Sequence, residues 1–134
     1  MLGEKIGEHS GKITGQRVLP LEGGAPRVET SFQASERILG VAATTIATYR
    51  ASLRPDGCLH GEGQGVVMGS GGEMATWTGQ GVGRFAEGGA VSWRGAIFYQ
   101  TSSARWSRLN GIAGVFEYEV DGDGNTRGGI WEWK

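Results

Sequence analysis

The stretch Leu59-His-Gly-Glu-Gly-Gln-Gly-Val66 places Gly61, Gly63 and Gly65 on one side of an extended segment, and Gly79-Gln-Gly-Val-Gly83 repeats the pattern downstream. Glycine at every second position is a strand signal, because successive residues of a strand point to opposite faces. Glycine weakens an ordinary strand, so a regular row marks a bend, a barrel corner or a close approach to the backbone. Between the rows, Gly69-Ser-Gly-Gly72 reads as a hairpin turn. Pairing Gly69 with Glu73 sets Gly61 against Gly81, Gly63 against Gly79 and Gly65 against Trp77, whose indole then lies over bare backbone. The other face carries His60, Glu62, Gln64, Thr76, Thr78 and Gln80, with Glu62 opposite Gln80 and Gln64 opposite Thr78. Hydrogen-bonding groups with a single acid suit a pocket, and this face is expected to point inward. A solvated sheet face is the alternative, because a slip of one residue exchanges the two sides.

A chain of 134 residues suits one domain spanning 1–134 with its own core. Its 38% hydrophobic and 20% charged residues argue for a folded protein. A net charge of −1 with scattered arginines gives no basis for a nucleic-acid or anionic-membrane partner. The single cysteine, Cys58, excludes an intramolecular disulfide and fits a reducing compartment. There is no apolar leader at the N-terminus and no apolar run long enough to span a bilayer, so a cytoplasmic protein is expected.

Glycine accounts for 26 residues, interleaved with apolar and aromatic ones, which reads as strands joined by glycine-rich turns. Extended segments are expected at 11–19, 27–39, 41–53, 58–68, 73–85, 90–102, 112–120 and 126–134. Breaks fall at Gly23-Gly-Ala-Pro26, Pro55-Asp-Gly57, Glu87-Gly-Gly89 and Asp121-Gly-Asp-Gly124. Residues 103–111 are the least strand-like and suit a helical turn. About eight short antiparallel strands form a sandwich or small barrel, an all-β fold.

Beyond these patterns, Lys12-Ile-Thr-Gly-Gln-Arg-Val-Leu-Pro20, Leu53-Arg-Pro-Asp-Gly57, Gly61-Glu-Gly-Gln-Gly-Val-Val-Met68, Glu73-Met-Ala-Thr-Trp-Thr-Gly-Gln-Gly-Val-Gly-Arg-Phe85, Ser92-Trp-Arg-Gly95 and Ile130-Trp-Glu-Trp-Lys134 resemble a family of small uncharacterised bacterial proteins. The resemblance covers nearly the whole chain. It implies an eight-stranded antiparallel barrel like that of allene oxide cyclase. No motif matches that enzyme's active site residue by residue.

Glu62 is the sharpest single candidate. A carboxylate in a barrel lumen, away from a cation, has its pKa raised and can exchange a proton or orient a donor. Tyr99 and Trp93 share one parity of the next strand and supply an apolar wall with a polar tip, or ordinary core packing. Arg94, on the opposite parity, is expected to face out. Trp131 and Trp133 are expected to cover a barrel end or an oligomer contact. Asp121, Asp123, Asn125 and Glu132 have calcium-loop offsets, but Thr126 occupies the position that needs glycine and the flanks are strands. His9, His60 and Cys58 give no transition-metal set. The glycine rows open no helix, which argues against a dinucleotide site. No metal or cofactor is expected.

Three functions follow. The first is a barrel that binds a small amphipathic or apolar molecule with Gln64, Thr78, Gln80 and Trp93. The second is a cofactor-independent isomerase or cyclase with Glu62 or Tyr99 as the catalytic group. The third is a structural protein whose lumen is filled. A homo-oligomer is compatible with all three.

Overall fold

The computed structural model describes residues 1–134. Its strands follow the turn residues of the sequence: β1 Leu2–Val18, β2 Arg27–Ile38, β3 Val41–Leu53, β4 Leu59–Gly69, β5 Met74–Phe85, β6 Val91–Thr101, β7 Ala113–Val120 and β8 Asn125–Trp133. Each strand pairs antiparallel with its sequence neighbours, and β1 pairs with β8, so the sheet closes into an eight-stranded barrel. Closure removes the exposed edges that an open sheet presents. The β2–β3 hairpin turns on Leu39 and Gly40, both at positive φ (47° and 78°), as a tight two-residue turn requires. Residues 104–111 form a 3₁₀ segment.

The glycine hairpin has the expected register, with Gly61 opposite Gly81, Gly63 opposite Gly79 and Gly65 opposite Trp77. The expected direction of its faces is overturned. Gly61, Gly63, Gly65 and Val67 are buried, whereas Glu62, Gln64, Thr78 and Gln80 are exposed on the outer wall. Glu62 forms a 3.3 Å ion pair with Arg50 on the neighbouring strand. Arg94 also lies outside, 2.9 Å from Glu119.

The reason is volume. An eight-stranded barrel has an interior just wide enough for side chains to fill, and here that interior holds aromatic rings. Each large ring needs a neighbour with no Cβ. A Cβ at Gly61 would lie 2.7 Å from the Trp93 ring, and one at Gly83 would lie 2.9 Å from it. The same holds at 2.7 Å for Gly95 against Phe116 and at 2.7 Å for Gly128 against His9, whereas a Cβ at Gly63 would meet the Thr48 carbonyl oxygen and the Tyr49 Cβ at 2.6 Å. At Gly65 a Cβ would penetrate the Trp77 indole. Within the glycine rows, Gly61, Gly65 and Gly83 are therefore the recesses into which the Trp93 and Trp77 rings fit.

The two ends of the barrel differ. At one end the 3₁₀ segment folds across the opening and seats Trp106 and Leu109, both 0% exposed, beside Ile38, Val41, Val67 and Ala75. Asn110 fixes this cap by receiving the Thr101 N–H at 2.8 Å and donating to the Thr101 carbonyl at 2.9 Å. Arg108 ties it to Glu132 at 2.8 Å and to Glu4 at 3.0 Å. The other end is bordered by the β1–β2, β3–β4, β5–β6 and β7–β8 connections, and no segment crosses it.

Candidate functional site

The uncapped end is a mouth of about 500 Å³. Its walls are mainly apolar and come from most of the strands: Ile13, Val28, Ala51, Leu53, Leu59, Phe85, Val91 and Val120. These residues continue the inward-facing rows of their strands past the packed layers, where the period of two keeps apolar side chains turned to the axis. Its floor carries Thr30, Tyr49 and Trp93. Gln16 adds a polar group at the side and donates to Thr30 Oγ1 at 3.4 Å.

Tyr49 and Trp93 also line a second, deeper space, a chamber of about 80 Å³. Around it stand the rings of Phe32, Tyr49, Trp77, Trp93, Tyr99, Phe116 and Tyr118, with His9, Glu36 and Thr45 as the polar groups. The rings touch one another: Phe32 and Tyr118 have centroids 5.1 Å apart, and Tyr49 meets Trp93 edge-on at 5.7 Å. The Tyr118 and Tyr49 hydroxyls lie 3.5 Å apart. Glu62 and Gln80 border the chamber, but as members of the glycine rows they do so through backbone, and their side chains stay in solvent.

Electrostatics single out the chamber. Glu36 is 7% exposed, and burial pushes its carboxyl up to about 7, against the opposing effect of the hydrogen bond that Thr45 donates to it. His9, its cross-strand neighbour on β1, is pulled down to about 4 by burial, and its Nδ1 is enclosed without a hydrogen-bond partner. Burial first, then the charge of Glu36, holds the Tyr99 phenol well above its ordinary value. Tyr99 therefore stays protonated near neutrality and can donate a hydrogen bond. No Lys or Arg lines the chamber.

Of the residues singled out by sequence, Trp93 and Tyr99 point into the lumen, whereas Glu62, Gln64, Thr78 and Gln80 do not. The β5–β6 register accounts for the split. Gly83 pairs with Trp93 and Trp77 with Tyr99, while Gln80 pairs with Ala96. Paired residues share a face, so Trp93 and Gln80 are on opposite sides of the wall. The sequence reading missed Glu36, His9 and Tyr49. A signal for Glu36 was present: it continues the row Val28, Thr30, Phe32, Ala34 and precedes Ile38, a lone acid on an apolar face.

No family model matches the chain, and no curated protein matches it. Solved structures of the same fold are known. A conserved protein of unknown function from Rhodopseudomonas palustris superposes with a TM-score of 0.83 at 10% identity, covering 98% of this chain and 97% of that one. A protein of unknown function from Clostridium acetobutylicum matches with 0.83 at 10%, covering 96% of each. A β-barrel-like protein from Acinetobacter baumannii matches with 0.83 at 10%, covering 100% of this chain and 96% of the other. At this identity the likeness is one of fold. The neighbours are uncharacterised bacterial proteins with a β-barrel fold, which is consistent with the resemblance in the sequence. No helix is long and apolar enough to cross a membrane.

Proposed function

We propose that this barrel binds a small apolar or amphipathic molecule through its uncapped mouth. The observation that carries the reading is the mouth itself: about 500 Å³ lined by apolar side chains that nothing in the chain covers. A fold that seats Trp106 and Leu109 over one end has the means to close the other, and leaving apolar walls in water costs about 25 cal/mol per Å². Concave, mostly apolar sites with a few polar groups at the base are the usual form of small-molecule pockets. Thr30, Tyr49 and Gln16 supply such groups. The barrel is read as allene oxide cyclase-like on the sequence resemblance, and as cytoplasmic on the lone Cys58. The isomerase alternative loses support at Glu62, which is ion-paired in solvent.

Titration of the protein with hexan-1-ol, followed by tryptophan fluorescence, tests the proposal, since Trp93 forms part of the floor. Saturable quenching is expected, and Leu59→Glu, which sets a charge in the wall, should abolish it. Equal quenching in the wild type and in Leu59→Glu would refute the mouth as the site.

A further inference from the structure

We propose that the chamber beneath the mouth receives the ammonium group of an organic amine whose apolar part occupies the mouth. The inference rests on the mouth being a binding site, and it adds the chemistry of the ligand's polar end.

Three observations carry it. The first is charge. Glu36 is a buried carboxyl whose one side-chain hydrogen bond comes from Thr45, and no lysine or arginine reaches the chamber to balance it. Its other ionisable neighbours are His9 from β1 and Tyr99 from β6. His9 is neutral above about pH 4, and Tyr99 is a phenol. The space is therefore complementary to one positive charge and hostile to an anion. The second is the wall. Phe32, Tyr49, Trp77, Trp93 and Tyr118 surround the same space, and rings within about 6 Å of a cation attract it through their quadrupoles. An enclosure of aromatic rings with a carboxylate recognises organic cations in this way. The third is size. A cavity of about 150 Å³ holds benzene. A space of about 80 Å³ suits an ammonium carrying one or two methylene or methyl groups. A metal ion is a poor fit, because the chain contains no group of three or more His, Cys, Asp or Glu side chains placed to share one. A sugar would need more hydrogen-bonding groups than this lining offers.

Tyr49 and Trp93 belong to both spaces and meet edge-on between them, so a ligand with a terminal amine and a short alkyl chain reaches the chamber by turning these two rings apart. Its ammonium would meet Glu36 in the chamber, and its chain would run from there past Tyr49 and Trp93 toward the mouth. Below about pH 7 the Glu36 carboxyl is largely protonated, and a cation beside it favours the carboxylate. The balance is then carboxylic acid plus ammonium giving an ammonium–carboxylate pair and one proton released to solvent. No covalent bond forms.

The experiment compares hexylamine with hexan-1-ol on the intact protein, by calorimetry at pH 8 and at pH 6. Hexylamine should bind about tenfold more tightly than the alcohol, the scale of a desolvated cation–π and ion-pair contact. Glu36→Gln should bring the amine to within about threefold of the alcohol measured on the same variant. For the wild type at pH 6, titrations in two buffers of different ionisation enthalpy should show close to one proton released per amine bound. This measurement does not depend on the variant folding. Equal binding of amine and alcohol, or an amine preference that survives Glu36→Gln, would overturn the inference and leave the mouth standing as a site for neutral ligands. Amine binding at pH 6 without proton release would also overturn it. Failure of both compounds to bind would overturn the inference and the mouth reading together.

Discussion

The capped and uncapped ends of the barrel are made from the same eight strands and carry opposite fillings. At the capped end Trp106, Leu109, Ile38 and Val67 are sealed from solvent, and the 3₁₀ segment that seals them is held by Asn110 and Arg108. At the uncapped end Phe85 is 61% exposed, and Leu53, Leu59, Val91 and Val120 are only partly covered. The difference separates stability from function along one axis. The apolar area that stabilises the fold is concentrated at one end, and the other end keeps apolar area available.

The contrast is broken most severely by deleting the cap's anchor. Trp106→Ala should cost about 3–5 kcal/mol, as truncation of a buried tryptophan does. Phe85→Ala at the mouth should change stability by no more than about 0.5 kcal/mol. Chemical denaturation of both variants measures the two values, and equal losses would erase the distinction between the ends.

The chamber between the ends has its own signature in pH. Glu36 titrates at about 7 folded against 4.5 as its ordinary value, so the folded state holds that proton more tightly and stability falls as pH rises from about 4.5 to 7. His9 titrates at about 4 folded against 6.5, so the folded state holds that proton less tightly and stability rises as pH goes from about 4 to 6.5. Between pH 4.5 and 6.5 the two slopes oppose each other, and the contribution of the pair is nearly flat. Glu36→Gln removes the falling slope. Its stability relative to wild type should climb across that window by up to about 1.4 kcal/mol per pH unit. His9→Phe should show the opposite trend. Denaturation midpoints at pH 4.5, 5.5 and 6.5 check both, and parallel curves for all three proteins would contradict the buried placement of the pair.

Smaller effects separate the faces of the wall. A Cβ at Gly81 would sit 2.6 Å from the Arg94 carbonyl oxygen, and one at Gly79 would sit 3.1 Å from that of Ala96. Gly81→Val should therefore destabilise by about 1–3 kcal/mol, and Gly79→Val by less. Gln64→Ala on the outside should be neutral within about 0.5 kcal/mol. A melting temperature raised by Gly81→Val would mean that the glycine row is not closely packed.

Strand order and turns were legible in the sequence because Pro55-Asp-Gly57, Gly69–Gly72 and Asp121–Gly124 punctuate it, and residues 41–53 were delimited as the strand that forms. The register of the glycine hairpin was legible for the same reason, since its turn admits few pairings. Which face is inner was not. Glycine and glutamine carry no hydrophobic contrast, and the Trp93 ring that fills the recesses at Gly61 and Gly83 comes from the flanking strand β6. Val67 and Trp77, which share the glycines' parity, were the available clue. The start of β1 was missed because two register shifts in its pairing with β8, between Leu2 and Lys5 and between Lys5 and Gly7, break the period of two. Glu36 escaped because the alternation of residues 27–39 shows that it shares a face with Val28, Thr30, Phe32, Ala34 and Ile38, and parity alone does not say that this face is sealed from solvent.

The most direct measurement locates a bound alkyl chain by NMR, through nuclear Overhauser contacts from hexan-1-ol to assigned methyl groups of the protein. The account predicts contacts to Leu53, Leu59, Val91 and Val120 in the mouth, and none to Leu109, Ile112 and Val41 under the cap. Contacts confined to the capped end, or to Ile46 and Val66 on the outer wall, would contradict it.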